Sequence, residues 1–188
     1  MRSREMETMD QGDVATGLTL VEARAVDDDA RLVMAWRNDP VTRAASFHQA
    51  EKVWPAFREE FAGYFGDALP PLFGVRGDGE RIGFVRFRAC ADPEGRGRNA
   101  VDISINVAPG ARGQGTGRRL IEAATARALS SMEVQVEVVL AEIRPGNAAS
   151  VKAFVGAGYR RVADGAHDVD GTMVPVERYV VARESWGG

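Results

Sequence analysis

The sequence contains few of the residues that build disulfide-bonded and metal-dependent proteins. It has one cysteine, Cys90, so no disulfide can form within the chain, and a reducing cytoplasm is the expected location. The two histidines, His48 and His167, lie far apart, and neither has a cysteine or a second histidine at the spacing of a metal site. We therefore expect neither a disulfide nor a bound metal ion.

A strong charge of one sign and a long apolar run are also missing. The formal net charge is −3, and no run of Lys and Arg forms the basic face that a duplex-binding protein needs. No segment approaches the ~20 apolar residues of a membrane span, and the N-terminus lacks the apolar run of a secretory signal. We expect no nucleic-acid or membrane partner, and we expect residues 1–17 to be disordered.

The residues that are present suit one globular domain. The chain has 188 residues, 45% of them hydrophobic, and we predict a single domain over residues 18–188. Apolar residues alternate between a period of two and a helical period, which favours an α/β fold. The predicted strands are Leu18–Arg24, the two runs that flank Gly77–Gly79 between Leu72 and Ala89, Val101–Val107, Val134–Ile143, Tyr159–Val162 and Val174–Ala182. The predicted helices are Asp28–Arg37, Lys52–Phe65, about Arg118 to Ser130, and Asn147–Gly156, with a loop over Pro40–Gln49.

A glycine-rich segment, V-A-P-G-A-R-G-Q-G-T-G-R-R-L, joins a predicted strand to a predicted helix. Gly113, Gly115 and Gly117 allow backbone N–H groups to approach an anion, and the helix that follows adds its unpaired N–H groups. Arg118 and Arg119 in the first helical turn oppose the helix dipole unless an anion is bound, although they could also be solvated side chains. The lysine of a P-loop and the G-x-G-x-x-G spacing of a dinucleotide fold are both missing.

Two motifs identify a family resemblance. The pattern R-x-x-G-x-G, present as Arg112, Gly115 and Gly117, resembles the acetyl-CoA loop of the GNAT superfamily of N-acyltransferases. The segment A-E-I-R-P-G-N-A-A-S-V-K-A-F-V-G-A-G-Y resembles that superfamily's second motif, in which an Asn, here Asn147, opens a helix. The resemblance covers roughly residues 18–183. It implies a mixed, twisted, mostly antiparallel sheet of about seven strands with four flanking helices, splayed between strands four and five.

The resemblance also implies an enzyme that transfers an acetyl group from acetyl-CoA to a primary amine by direct attack in a ternary complex. A backbone N–H at the splay would stabilise the oxyanion. Many members carry a Tyr seven residues after the Asn to protonate the thiolate. Phe154 stands there instead, so Tyr159 or water would replace that acid. The implied cofactor-binding residues are Ile105, Val107, Arg112, Gly113, Gln114, Gly115, Thr116, Gly117, Arg118, Asn147 and Phe154.

The attacking amine must lose a proton, and three side chains are candidates to assist the reaction. Asp102, Ser104 and Asn106 share one face of the fourth strand, which indicates either a wet cavity in a central strand or an exposed strand start. Glu142, near the end of the fifth strand, is a second candidate base, with a salt bridge as the alternative. Ser150 could assist through its hydroxyl, or it could serve as a cap.

The acceptor side is predicted from A-W-R-N-D-P-V-T-R-A-A-S-F. This stretch is similar to W-R-N-D-x-x-x-R-x-x-S-F in N-acetyltransferases of nucleotide-linked amino sugars, including pseudaminic acid pathway enzymes. Arginines would pair with phosphates and aromatic rings would stack on a base or sugar. The alternatives are ordinary helix-end polarity, acetylation of a protein N-terminus or other small amine, and a non-catalytic acetyl-CoA sensor, in a monomer or a homodimer. The implied substrate-binding residues are Trp36, Arg37, Asn38, Arg43, Phe47 and Arg86.

Overall fold

The computed structural model describes residues 17–67 and 69–187, so the predicted disordered segment lies, except for Gly17, outside the described residues. The described residues form seven strands and five α-helices. The strands are β1 Leu18–Glu22, β2 Leu72–Arg76, β3 Arg81–Cys90, β4 Ala100–Val107, β5 Val138–Ile143, β6 Arg160–Val169 and β7 Thr172–Ala182. The helices are α1 Asp27–Asn38, α2 Pro40–Ala45, α3 Ala56–Gly63, α4 Thr116–Leu129 and α5 Ala148–Gly156.

The seven strands form one sheet in the order β1-β2-β3-β4-β5-β7-β6. Every neighbouring pair is antiparallel except β4 and β5, which run parallel with α4 as the crossover between them. A parallel pair needs such a crossover, whereas antiparallel neighbours can be joined by a short turn. The structure thus confirms the predicted mixed, mostly antiparallel sheet of about seven strands.

The parallel pair separates part of the way along its length. β4 and β5 are paired at three positions, from Ala100 with Val138 to Asp102 with Leu140. β4 continues to Val107 and β5 to Ile143, but no pairing between them is present past Asp102 in the described residues. Both strands also pair with their outer neighbours over this stretch. The predicted splay between strands four and five is therefore confirmed.

Hydrophobic cores lie on both faces of the sheet. Because side chains alternate along a strand, β3 contributes Val85 and Phe87 to one face and Phe84 to the other. The first face packs against α4 and α5. The second face packs against α1 and α3 over the β1–β3 half of the sheet, through Trp36, Phe57, Phe61, Phe73 and Phe84. The β4–β7 half of the second face carries a small apolar cluster at one end, formed by Ala100, Val138, Leu140, Val180 and Ala182, and polar side chains beyond it.

Helix α2 is an element that the sequence prediction missed, since Pro40–Gln49 was expected to be a loop. Pro40 occupies the first turn of α2, where its missing N–H costs no hydrogen bond. Asp39 caps the helix by accepting a hydrogen bond of 3.0 Å from the backbone N–H of Thr42. A proline therefore ends α1 and also begins α2, and the loop prediction is wrong for residues 40–45.

Three predicted boundaries also differ from the structure. Helix α3 begins only at Ala56, after Pro55, and not at Lys52. β5 begins at Val138 and not at Val134, because residues 132–134 form a turn and Gln135 has φ of +50°. β6 extends to Val169, well past the predicted end, and its polar second half lies at the sheet edge. Polar edge strands lack the apolar alternation that sequence patterns detect.

Candidate active site

The glycine loop connects β4 to α4 in a conformation that favours glycine. Gly113 and Gly115 have φ of +77° and +74°, in the left-handed region that residues with a Cβ rarely adopt. Gly115 occupies the N-cap of α4, and no side-chain hydrogen bond caps that helix. Thr116 is buried at the helix start, next to Gly117. The first-turn N–H groups of α4 thus have no capping side chain and are suited to an anion.

Arg112 lies at the start of this loop and contacts the N-terminal end of helix α2. Its Nη1 donates to Asp39 Oδ1 at 2.6 Å, and its Nη2 donates to Thr42 Oγ1 at 2.6 Å. The Thr42 backbone N–H and the Arg112 guanidinium together hold the pKa of Asp39 below its usual value. Arg112 therefore ties the glycine loop to the N-terminus of α2.

Two arginines in the first turn of α4 bond to nearby groups of the loop and the helix. Arg118 Nε donates to Glu122 Oε1 at 2.7 Å on the exposed side of α4. Arg119 Nη2 donates to the backbone carbonyl of Gln114 at 3.3 Å. Both arginines therefore lie beside the N-terminus of α4, and the Arg118 side chain is 59% exposed.

The second motif forms α5 and the core behind it. Asn147 Oδ1 accepts a hydrogen bond of 3.2 Å from the Ser150 backbone N–H, so Asn147 is the cap of α5. Phe154 is 4% exposed and its ring lies edge-on to Tyr159 at 5.0 Å. The Tyr159 hydroxyl is bonded to Thr125 at 2.7 Å, and burial raises its pKa above the ordinary value. Tyr159 is thus part of the core, which leaves water as the alternative acid.

Five charged side chains lie on the second sheet face, on the part that α1 and α3 do not cover. The strand register places Arg88 opposite Asp102 and Glu142 opposite Arg178, while Arg86 lies two residues from Arg88. Asp102 pairs with Leu140, two residues before Glu142, so all five side chains project from one face. We call Arg86, Arg88, Asp102, Glu142 and Arg178 the polar floor. It begins where β4 and β5 separate.

Asp102 is the carboxylate at the point of separation. Its side chain is 16% exposed, and Arg88 Nη2 lies 3.3 Å from its Oδ2. Burial raises the pKa of Asp102 to about 6, although Arg88 lowers it, and the nearby charge of Glu142 raises it further. A carboxyl group with this pKa can exchange a proton near neutral pH.

Glu142 is held by two partners, so the salt bridge that the sequence left as an alternative is present. Its Oε1 accepts from Arg178 Nε at 2.9 Å, and its Oε2 lies 2.6 Å from His167 Nδ1. Gly165 leaves room for the arginine, since a Cβ there would lie 2.8 Å from Arg178 Cζ. With both oxygens engaged, Glu142 is less available to accept a proton from an amine.

His167 contacts the polar floor, and the sequence analysis did not predict this contact. It lies in the second half of β6, and its ring stacks on Phe47 with centroids 4.7 Å apart and an interplanar angle of 17°. Phe47 thereby reaches the polar floor through His167 and Glu142. The sequence holds little signal for this contact, because it depends on the polar part of β6 being a strand.

The structure places the predicted acceptor residues in different parts of the molecule. Trp36 packs in the core, 7% exposed and edge-on to Phe73 at 6.2 Å. Asn38 donates to the Lys52 carbonyl at 2.8 Å and accepts from the Lys52 N–H at 2.7 Å, so its amide fixes the chain before α3. Arg43 Nε donates to the Gln49 carbonyl at 2.9 Å.

Two other predicted acceptor arginines meet at a tyrosine. Arg37 Nη1 donates to the Tyr64 hydroxyl at 3.4 Å. The Arg86 guanidinium lies 4.1 Å from the centre of the Tyr64 ring, and its Nε is 3.5 Å from Asp67 Oδ2. Arg37 and Arg86 therefore lie close together at the edge of the polar floor.

Two further features concern metals and membranes. Within residues 17–67 and 69–187, His, Cys, Asp and Glu side chains form no group of three or more that could hold a metal ion. None of the helices in the same ranges has the length and apolar character needed to cross a bilayer.

Solved structures share this fold over nearly their whole length. An aminoglycoside acetyltransferase, AAC(6')-Ib, solved with coenzyme A and kanamycin, is 17% identical with a TM-score of 0.73, covering 89% of this chain and 96% of that one. A chimera of spermidine N-acetyltransferase from Vibrio cholerae and hSSAT is 14% identical with a TM-score of 0.71, covering 91% and 98%. An acetyltransferase (GNAT family) from Bacillus anthracis is 14% identical with a TM-score of 0.70, covering 89% and 95%. At such identities the likeness shows the fold alone.

The family is shown by the sequence. No curated protein sequence matches the chain. Residues 31–159, which are more than half of the 188, match the family model described as Acetyltransferase (GNAT) family. The matched span contains the glycine loop, the polar floor from Arg86 to Glu142, and the Asn147 cap. The chain belongs to the acetyltransferase (GNAT) family.

Proposed function

We propose that the protein transfers the acetyl group of acetyl-CoA directly to a primary amine of a small molecule, and that this acceptor is a nucleotide-linked amino sugar. The family supplies the reaction type: the protein is an acetyl-CoA-dependent N-acetyltransferase with acetyl-CoA as its co-substrate. The observation that carries the proposal is the layout of β4. The glycine loop follows one end of its unpaired stretch, and the polar floor begins at the other.

The donor would bind along that unpaired stretch. The uncapped N-terminus of α4, with Gly113, Gly115 and Arg118 beside it, suits the pyrophosphate of acetyl-CoA. Ile105 and Val107 lie on β4 past its last pair with β5, where backbone groups can hold the pantetheine arm. Val107 is five residues from Asp102, or about 17 Å along a strand, so an arm running back from the loop leads toward Asp102.

Asp102 would then accept the proton of the acceptor amine. The amine nitrogen forms a bond to the acetyl carbon, the carbon–sulfur bond breaks, and the amine proton passes to the Asp102 carboxylate. Asp102 is favoured over Glu142 because the pKa of Asp102 is raised to about 6 and both oxygens of Glu142 are engaged. Coenzyme A can leave as its thiolate, since thiol pKa values of ~8.5 lie near neutrality. The Ser150 hydroxyl is a candidate hydrogen-bond donor to it.

The charges around the cleft support an acceptor that carries both an amine and an anionic group. Arg37 and Arg86 lie together at Tyr64, and Arg43 lies on the same loop as Phe47. Arginine pairs well with phosphate, and a phosphate of the acceptor would share Arg86 and Arg43 with the carboxylates of Asp67 and Glu51. Kanamycin in the solved aminoglycoside acetyltransferase is an acceptor-sized small molecule, which favours the same size class here.

Measuring coenzyme A release with a thiol reagent tests the proposal. Purified protein is mixed with acetyl-CoA and, separately, with nucleotide-linked amino sugars, free amino sugars, polyamines and N-terminal peptides. We expect release to be fastest with a nucleotide-linked amino sugar, and the acetylated product to appear by mass spectrometry. Faster release with a peptide would replace the small-molecule acceptor, and binding of acetyl-CoA without transfer to any amine would indicate a sensor.

A further inference from the structure

His167 is fixed on two sides by contacts from other elements. Its Nδ1 lies 2.6 Å from Glu142 Oε2 on β5, and its ring is stacked on Phe47 from the loop after α2. The side chain is 19% exposed. A ring fixed in this way presents its remaining nitrogen in a constant direction, because neither the stacking nor the hydrogen bond allows it to turn.

The contact with Glu142 determines which ring nitrogen of His167 carries the hydrogen. An ionised carboxylate only accepts hydrogen bonds, and Arg178 holds the other oxygen of Glu142 at 2.9 Å. His167 therefore donates its Nδ1–H, and a neutral ring then has an unprotonated Nε2 that accepts. Nε2 has no hydrogen-bond partner in the described part of the chain. It is also not one of the buried unpaired atoms there, so it is accessible to solvent.

The loop that carries Phe47 is itself anchored across the cleft. Arg144, just after β5, donates from Nη1 to the Ser46 carbonyl at 3.0 Å. His48 Nδ1 lies 3.6 Å from Asp170 Oδ2 at the tip of the β6–β7 hairpin, but both side chains are exposed, so this contact contributes little to holding the loop. We call Phe47 and His167 the aromatic wall. Its position is thus set by the Arg144 contact with the loop and by the Glu142 contact with His167.

The aromatic wall faces the same cleft as the proposed base. His167 bonds to Glu142, which lies two residues past the last β4–β5 pair and is close enough to Asp102 for its charge to raise the pKa of Asp102. When the acceptor amine reaches Asp102, the acceptor atoms next to the amine nitrogen therefore lie near Nε2 of His167. Those atoms meet one fixed hydrogen-bond acceptor beside an apolar ring.

We propose that His167 determines acceptor specificity: its Nε2 accepts a hydrogen bond from a hydroxyl group of the acceptor, and the enzyme thereby prefers hydroxylated amines over plain alkylamines. Sugars combine such hydroxyls with C–H faces that suit an aromatic wall. This inference rests on the proposed function, and it names the feature of the acceptor that the site recognises. A fixed polar group discriminates against an analogue that cannot pair with it.

A binding experiment tests this without turnover. The protein, saturated with coenzyme A, is labelled with ¹⁵N in its two histidines and titrated with 2-aminocyclohexanol or with cyclohexylamine, which differ by one hydroxyl. We expect the amino alcohol to shift the Nε2 resonance of His167 and cyclohexylamine to leave it in place. His48 serves as the internal control and should not move. An unmoved His167 with both amines, or an equal shift with both, overturns the inference.

A kinetic experiment tests the same inference through selectivity. We expect kcat/KM of the wild type to be about tenfold higher for 2-aminocyclohexanol than for cyclohexylamine, the size of one net hydrogen bond. His167→Asn keeps a donor near Glu142 but removes Nε2. It should therefore abolish the preference for 2-aminocyclohexanol by raising the KM for this amine. His167→Gln, whose amide oxygen can replace Nε2, should restore part of it, and His48→Asn should keep the wild-type ratio.

The outcomes separate this inference from the proposed function. If His167→Asn lowers kcat equally for both amines, His167 acts on the proton and does not select the hydroxyl, which overturns the inference while the acetyl transfer stands. If the wild type acetylates no amine at all, the proposed function fails. The ¹⁵N titration then still decides whether His167 recognises the hydroxyl.

Discussion

At the scale of single residues, Asp102, the proposed base, also lowers the stability of the folded protein. Its pKa is raised from 3.8 to about 6 in the folded protein, chiefly by burial. Between these pH values the native state binds more protons than the unfolded state, so raising the pH through this window destabilises the native state. Since one pKa unit corresponds to about 1.4 kcal/mol, the ionised carboxylate costs about 3 kcal/mol above the window.

Asp102→Asn should therefore make the protein more stable and less active. At about pH 8 we expect a free energy of unfolding higher by up to about 3 kcal/mol, reduced by the lost Arg88 contact, and this gain should vanish at about pH 4. The rate of acetyl transfer should fall about a hundredfold with the loss of the base. Urea unfolding followed by circular dichroism at both pH values measures the first effect. A gain that does not change with pH would contradict the raised pKa.

Some features of these residues could be predicted from the sequence, and others could not. Asp102 was predicted because alternation along one strand places polar residues on a face that should be apolar. Glu142 was predicted too, but its two partners, Arg178 and His167, come from strands that are distant in sequence. Trp36 was assigned to the acceptor by resemblance, and it packs in the core. Contacts between strands that are far apart in sequence are not encoded in any local pattern.

At the scale of elements, the glycine loop and α2 form a linked pair. Arg112, which the resemblance implies as a cofactor-binding residue, connects them by bonding to Asp39 and Thr42. The low pKa of Asp39 means that this link should persist into mildly acidic solution and weaken only as the pH falls through that lowered value. Because α2 leads into the Phe47 loop, the link connects the glycine loop with the loop that carries Phe47.

Mutating both ends of this link should reveal the coupling. We expect Asp39→Ala and Arg112→Ala each to weaken acetyl-CoA binding about fivefold, and the double variant to bind no more weakly than either single variant. Calorimetric titration with acetyl-CoA measures all three. Asp27→Ala, which removes an exposed ion pair with Arg58 at the start of α1, is the matched control and should bind normally. Additive losses in the double variant would mean that Arg112 contacts the pyrophosphate directly.

At the scale of the whole molecule, the fold was largely predictable and the cleft was not. The glycine loop and the Asn147 cap are local motifs, so they indicate the family and, through it, the splayed sheet. Helix α2 was missed because a proline can end one helix and begin the next, and Pro40 does both. The second half of β6 was missed because its residues are polar. The aromatic wall depends on both missed segments, since Phe47 follows α2 and His167 lies in that part of β6. It could be recognised only in three dimensions.

The most direct measurement of the central claim, that the glycine loop binds acetyl-CoA, compares two substitutions of Gly115. Asn and Asp have nearly the same shape and both tolerate the left-handed backbone at this position, so the two variants differ mainly in charge. We expect calorimetry to give Gly115→Asn an acetyl-CoA affinity within about threefold of wild type and Gly115→Asp one at least about tenfold weaker, because a carboxylate there repels the pyrophosphate. Equal affinities for the two variants, or no binding to the wild type, would contradict the account.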